Sequence, residues 1–88
     1  MIENNVIINF SSSRNIRELS ELVDDVYKVM GLSLLNRELV KLKGQPQQND
    51  YSLVINLALS EVHERSIQNV FRKRKYNIFW SDFENMES

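Results

Sequence analysis

Cysteine is absent from this 88-residue chain. Its absence removes a disulfide framework, a thiolate zinc site and a cysteine nucleophile, and it fits a reducing compartment. Histidine occurs once, at His63, so no multi-histidine metal site can be built, and no cofactor motif is legible. Proline occurs once and glycine twice. The proline and one glycine fall together in Gly44–Asp50, GQPQQND, which reads as a loop inside a domain and not as a linker between two. No run approaches the ~20 apolar residues of a membrane span. Met1–Phe10 lacks the basic start and long apolar middle of a signal peptide, so a cytoplasmic protein without a membrane partner is expected. Charge of one sign is also missing. Eleven Lys and Arg stand against 12 Asp and Glu, a formal net charge of −1, which argues against the overall basicity of nonspecific nucleic-acid binders.

What is present is the composition of a folded domain: 42% hydrophobic and 26% charged residues. A chain this short makes one domain, expected over residues 1–83, with an acidic tail at 84–88. Val6–Phe10, VIINF, is short, β-branched and bounded by polar residues, as a buried strand is. From Ile16 the apolar positions Ile16, Leu19, Leu22, Val23, Val26, Val29 and Met30 follow one face of a helix. Asn15 with Glu18 provides a capped start, and Gly31 a left-handed end. Leu34–Lys43 fits either a strand, by its alternation, or a short helix ending at Gly44. The strand is preferred because Tyr51–Leu59, YSLVINLAL, is itself strand-like and follows a short polar loop, making a hairpin. Leu53, Ile55, Leu57 and Leu59 are expected to face the core. Ser60 is placed to cap a second helix with Val62, Ile67, Val70 and Phe71 on one face, ending in Arg72-Lys73-Arg74-Lys75 where the helix dipole favours cations. Tyr76–Trp80 reads as a last strand.

The order strand-helix-strand-strand-helix-strand predicts an α+β, ferredoxin-like sandwich: a four-stranded antiparallel sheet with both helices on one face. Its other face is left open and carries Ile7, Asn9, Ser52, Val54, Asn56 and Ala58. A half-apolar open face suits a protein partner or a homodimer.

Charge is unevenly distributed along the chain. Residues 1–36 hold 3 basic and 5 acidic side chains, residues 37–75 hold 8 and 4, and residues 76–88 hold 0 and 3. Arg72, Lys73, Arg74 and Lys75, joined by Lys41, Lys43 and Arg65, are candidates for one patch that binds RNA, DNA or another anionic partner. The plainer reading is a solvated helix end. A further possibility is that Glu18, Glu21, Asp24 and Asp25, or the acidic tail, of a neighbouring copy pair with this patch. The Ser11-Ser12-Ser13-Arg14 turn has hydroxyls and Arg14 or Arg17 to offer a phosphate but no glycine for close backbone approach, so helix capping is its simpler use. His63 is the one weak candidate for a general acid or base. Beside Glu61, Glu64 and Arg65 in the first helical turn, it reads more simply as a surface residue. The open face lacks the stacking aromatics of an RNA-recognition motif. Trp80 and Phe83, with Ile7, Asn9, Val54 and Asn56, are the candidate partner interface.

The segment NDYSLVINLALSEVHE, with a first helix ending at a Met-Gly turn, resembles the small antitoxins of the GhoS type, which share a ferredoxin-like fold with the Cas2 nucleases. The resemblance implies a small regulatory protein of bacterial or phage origin. In the family it further implies cleavage of a toxin's messenger RNA, with an acidic residue near the end of the first strand in the Cas2 relatives. Here that region reads Asn9-Phe10-Ser11, and no catalytic residue is carried over. A non-enzymatic regulator or inhibitor, of antitoxin or counter-defence type, is therefore expected. A Cas2-like RNA-binding protein or endoribonuclease, and a structural homo-oligomer subunit, stand as alternatives.

Overall fold

A computed structural model of the chain describes residues 4–76 and 83–87. In chain order the elements are β1 (Asn4–Ser11), α1 (Ile16–Val29), β2 (Val40–Gln45), β3 (Asp50–Ile55), α2 (Glu61–Lys73) and β4 (Phe83–Glu87). Together they form a small α+β domain.

Three strands make the antiparallel sheet that carries the core, in the order β2-β3-β1. Val6 to Ser11 pair with Ile55 to Asp50, and Val40 to Gln45 with Ile55 to Asp50. On the free side of β1, β4 adds a further antiparallel partner, from Asn4 opposite Glu87 to Ile8 opposite Phe83. Alternation along each strand separates two faces. Val6, Ile8 and Phe10 of β1, Val40 of β2 and Tyr51, Leu53 and Ile55 of β3 are buried, and they form one core with Leu19, Leu22, Val26 and Tyr27 of α1 and Ile67 and Phe71 of α2. Both helices therefore lie on the same side of the sheet.

Local chemistry accounts for the helix boundaries. Asn15 Oδ1 accepts from the Glu18 N–H at 2.9 Å, and Ser60 Oγ from the His63 N–H at 3.2 Å. Each satisfies one of the donors that a helix start leaves free. The two ends are also alike. At α1, Gly31 takes φ 70° and Leu32 N–H reaches back to Tyr27 O. At α2, Lys75 takes φ 66° and Tyr76 N–H reaches Phe71 O. Both are Schellman ends with a left-handed residue just past the helix, one built on glycine and the other on lysine.

Several expectations need correction. β2 begins at Val40, not Leu34, and Ser33–Leu39 is turn and loop stitched by Leu35 N–H to Ser33 Oγ and Glu38 N–H to Asn36 Oδ1. These short polar side chains compete for the backbone and delay the strand. β3 ends at Ile55, one residue before Asn56, whose N–H still bonds Leu39 O in the register of the β2–β3 pair; Leu57 and Leu59 pack on the core from a loop instead. On the helices Ile16 and Val62, both in a first turn, are each 71% exposed, whereas Tyr27, absent from the expected stripe, is buried. Tyr76 closes the end of α2 rather than opening a strand, and the rest of the expected strand, residues 77–80, lies outside the described residues. The strand that does pair is Phe83–Glu87, in a stretch expected to be mostly acidic tail. Its composition favours a strand only weakly, and the open edge of β1 supplies the pairing.

Candidate binding surfaces

The sheet face away from the helices is a shallow surface whose depression, about 500 Å³, is lined by Ile7 and Asn9 of β1, Ser52 and Val54 of β3, Asn56, and Lys41 and Lys43 of β2. Strand alternation puts them there, because each is out of phase with the buried set. Cross-strand register groups them into rows: Lys41, Val54 and Ile7 in one, Lys43, Ser52 and Asn9 in the next. Ser52 Oγ donates to Asn9 Oδ1 at 2.7 Å, and Asn56 Nδ2 to Glu38 O at 3.2 Å. Ile7 and Val54 are half-buried, while Asn9 and Asn56 are exposed. Ala58, expected on this face, follows the end of β3 and lies in the loop. Trp80 lies outside the described residues, and Phe83 is placed by register opposite Ile8.

The basic residues expected as one patch are divided between two sides of the molecule. Lys41 and Lys43 stand on the open sheet face; Arg65, Arg72, Lys73 and Arg74 belong to the helix layer behind it. Arg65 is held by Glu61 at 2.8 Å across one turn of α2. Arg74 is not a free cation: Nε lies 2.5 Å from Asp25 Oδ2 and Nη1 3.2 Å from Glu21 Oε2. The hydrogen bond with Asp25 is the main reason its pKa is pushed up, with the Coulomb attraction of Asp25 and contacts with Glu21 adding to it and burial opposing it. Arg17 approaches the same Glu21 at 3.9 Å. The acidic face of α1, expected to seek a neighbour's cations, thus meets the cations of its own chain. Arg72, Lys73 and Lys75 have no ion-pair partner among the described residues, and Arg72 and Lys73 border a shallow hollow with Val29, Ser66, Asn69 and Val70.

Arg14 has a different task from the phosphate contact its serine-rich turn suggested. Its guanidinium crosses to the end of α2, donating from Nη1 to Arg74 O and from Nη2 to Lys75 O at 2.9 Å, with Cζ 3.9 Å from the centre of the Tyr76 ring. It thereby caps carbonyls left free by the helix end and stacks on the aromatic that follows. The ring of Tyr76 packs edge-on against Phe10 and Phe71. His63 is exposed on the first turn of α2. Among the described residues no three His, Asp or Glu side chains are grouped as a metal ion requires.

A second surface escaped the sequence reading. Between α1 and the outer edge of β2 runs a groove of about 590 Å³, bordered by Ile16, Ser20 and Val23 on one side and Val40 and Leu42 on the other. Arg37 closes one end, paired to Asp24 at 2.6 Å and lying over the Tyr27 ring at 5.2 Å. The Tyr27 hydroxyl beneath donates to Val40 O at 2.9 Å and accepts from Val40 N–H at 3.2 Å. The available signal was Ile16 and Val23, apolar residues at the margin of the α1 stripe. Comparison of the chain with family models, with characterised proteins and with solved structures finds no match.

Proposed function

We propose that this chain is a small regulatory or inhibitory protein, of antitoxin or counter-defence type, that acts by binding another protein rather than by catalysis. The observation that carries the reading is the sheet face that no described element covers, where half-buried Ile7 and Val54 are ringed by Asn9, Ser52, Asn56, Lys41 and Lys43. An apolar centre with a polar and cationic border is the make-up of a protein-binding surface. The strand order β2-β3-β1-β4 with both helices on one side supports a ferredoxin-like reading of the fold, in keeping with the resemblance to GhoS-type antitoxins.

Arg72, Lys73 and Lys75, exposed and without ion-pair partners among the described residues, favour RNA binding as the second reading. Titration of single-stranded RNA and duplex DNA over a range of salt, with wild type and an Arg72→Ala, Lys73→Ala, Lys75→Ala variant, separates the two. The protein-binding reading expects weak association that is the same for both proteins. Micromolar RNA binding that falls steeply with salt and is lost in the variant would overturn it.

A further inference from the structure

We propose that the outer edge of β2 is a strand-addition site for an extended segment of a partner protein in which acidic and apolar residues alternate. The inference rests on the reading of the chain as a protein-binding regulator and names where and what it binds.

In an antiparallel ladder the N–H and C=O of one residue point to the same side, and successive residues alternate. On β2 the phase is fixed at two places. Leu39 O points inward, accepting from Asn56 N–H, and Val40 points outward, both of its backbone groups held by the Tyr27 hydroxyl. Lys41 and Lys43 therefore face β3, while Leu42 and Gly44 present their N–H and C=O outward, where no described group takes them. This open stretch has defined ends. Tyr27 occupies the ladder positions at Val40, and Pro46, which has no N–H, follows Gln45.

Side chains specify what fits. Residues directly opposite each other across a ladder share a face. A residue opposite Leu42 faces the groove bordered by Ile16 and Val23 and is best apolar. Residues opposite Lys41 and Lys43 lie on the open sheet face and are best acidic: Lys41 is met by Glu38 alone, at 3.0 Å, and Lys43 has no ion pair among the described residues. Acidic, apolar, acidic is thus the complement of Lys-Leu-Lys. At the far end Gly44 adds no side chain of its own to the edge, and the Tyr51 ring lies over the glycine.

The test uses the full chain and three short synthetic peptides: alternating Glu and Val, alternating Lys and Val, and the Glu-Val peptide with backbone N-methylation on its valines. Binding is followed by amide chemical shifts and hydrogen exchange. The proposal expects the Glu-Val peptide to protect the Leu42 and Gly44 amides and shift Ile16 and Val23. It also expects the N-methylated peptide to bind about tenfold more weakly or worse, since ladder bonds are lost, and a Lys41→Glu, Lys43→Glu variant to prefer the Lys-Val peptide. Binding that ignores N-methylation, or maps to Ile7 and Val54 without protecting Leu42, overturns the edge site while leaving the protein-binding reading intact. No binding of any peptide overturns it as well. Should the free chain self-associate and the Lys41→Glu, Lys43→Glu variant lower its mass in solution, the occupant is a second copy and the partner segment is excluded.

Discussion

Two tyrosines with opposite prospects show how much a single hydroxyl decides. Tyr27 is fully buried, and its hydroxyl both gives to and takes from the Val40 backbone. Tyr27→Phe leaves that N–H and C=O without partners, and a loss of about 1–3 kcal/mol is expected from urea denaturation at unchanged slope. Tyr76 is 5% exposed, and its hydroxyl has no hydrogen-bond partner among the described residues. Tyr76→Phe keeps the ring contacts and discards an unpaired polar atom, so stability is expected to hold or rise by about 1 kcal/mol in the same measurement. Gly44 is a third sensitive residue. An added Cβ would sit 2.5 Å from both Asp50 O and Tyr51 Cδ1 and 2.9 Å from Tyr51 Cα; because two of these atoms are backbone, Gly44→Ala must push β2 away from β3. Neither Tyr27 nor Gly44 announces its role in the sequence. An aromatic between apolar helical positions and a glycine in a polar loop are ordinary until the strand beside them is placed.

At the scale of elements, the two helices offer an internal comparison, since they end in the same motif with different residues at the left-handed position. Gly31 has φ 70° and open space around the Cβ it lacks, so Gly31→Ala tests backbone preference alone and is expected to cost about 1 kcal/mol. Lys75, at φ 66°, already bears that cost. Lys75→Gly is expected to raise the thermal midpoint by a stabilisation of about 0.5–1 kcal/mol, provided that Arg14 still reaches the carbonyl of residue 75. Elements whose signal is local were legible in the chain: α1 from its spacing, its Asn15 cap and Gly31, and α2 from Ser60. Elements decided by their neighbours were not. β2 starts late because Ser33 and Asn36 hold the preceding backbone, and Phe83–Glu87 pairs because β1 offers an edge. The open sheet face was readable from strand alternation. The division of the cations between two sides of the molecule was not, because a run of four basic residues says nothing of Asp25 and Glu21, which lie some fifty positions away.

Over the whole molecule, the near neutrality of the chain is resolved in space. The acidic side of α1 is joined to the end of α2 through Asp25, Glu21 and Arg74, so opposite charges that are distant in sequence neutralise each other within the helix layer. Lys41, paired to Glu38, and Lys43 stand apart from that network, on the sheet's open face. A double-mutant cycle with Asp25→Asn and Arg74→Gln is expected to show a coupling of about 0.5–1 kcal/mol that shrinks as salt is added. With its pKa raised, Arg74 contributes fully below its ordinary range, and that contribution is lost only when the pH climbs through the raised value. Moderate alkalinity should therefore leave the coupling unchanged, which denaturation at successive pH values would check.

β1 precedes both of its sheet partners in the chain, an order that its central position makes costly. It lies between β3 and β4, so during synthesis it is paired on neither side until residue 55 or so has followed it, and on both sides only when residue 87 has. During synthesis its apolar Val6, Ile8 and Phe10 must wait unpaired, and closure depends on contacts between residues far apart in sequence, the kind that slow folding and expose aggregation-prone strands. A chain arrested before Phe83 would present β1 as an open edge, and the yield of soluble protein should depend on how fast Phe83–Glu87 is delivered.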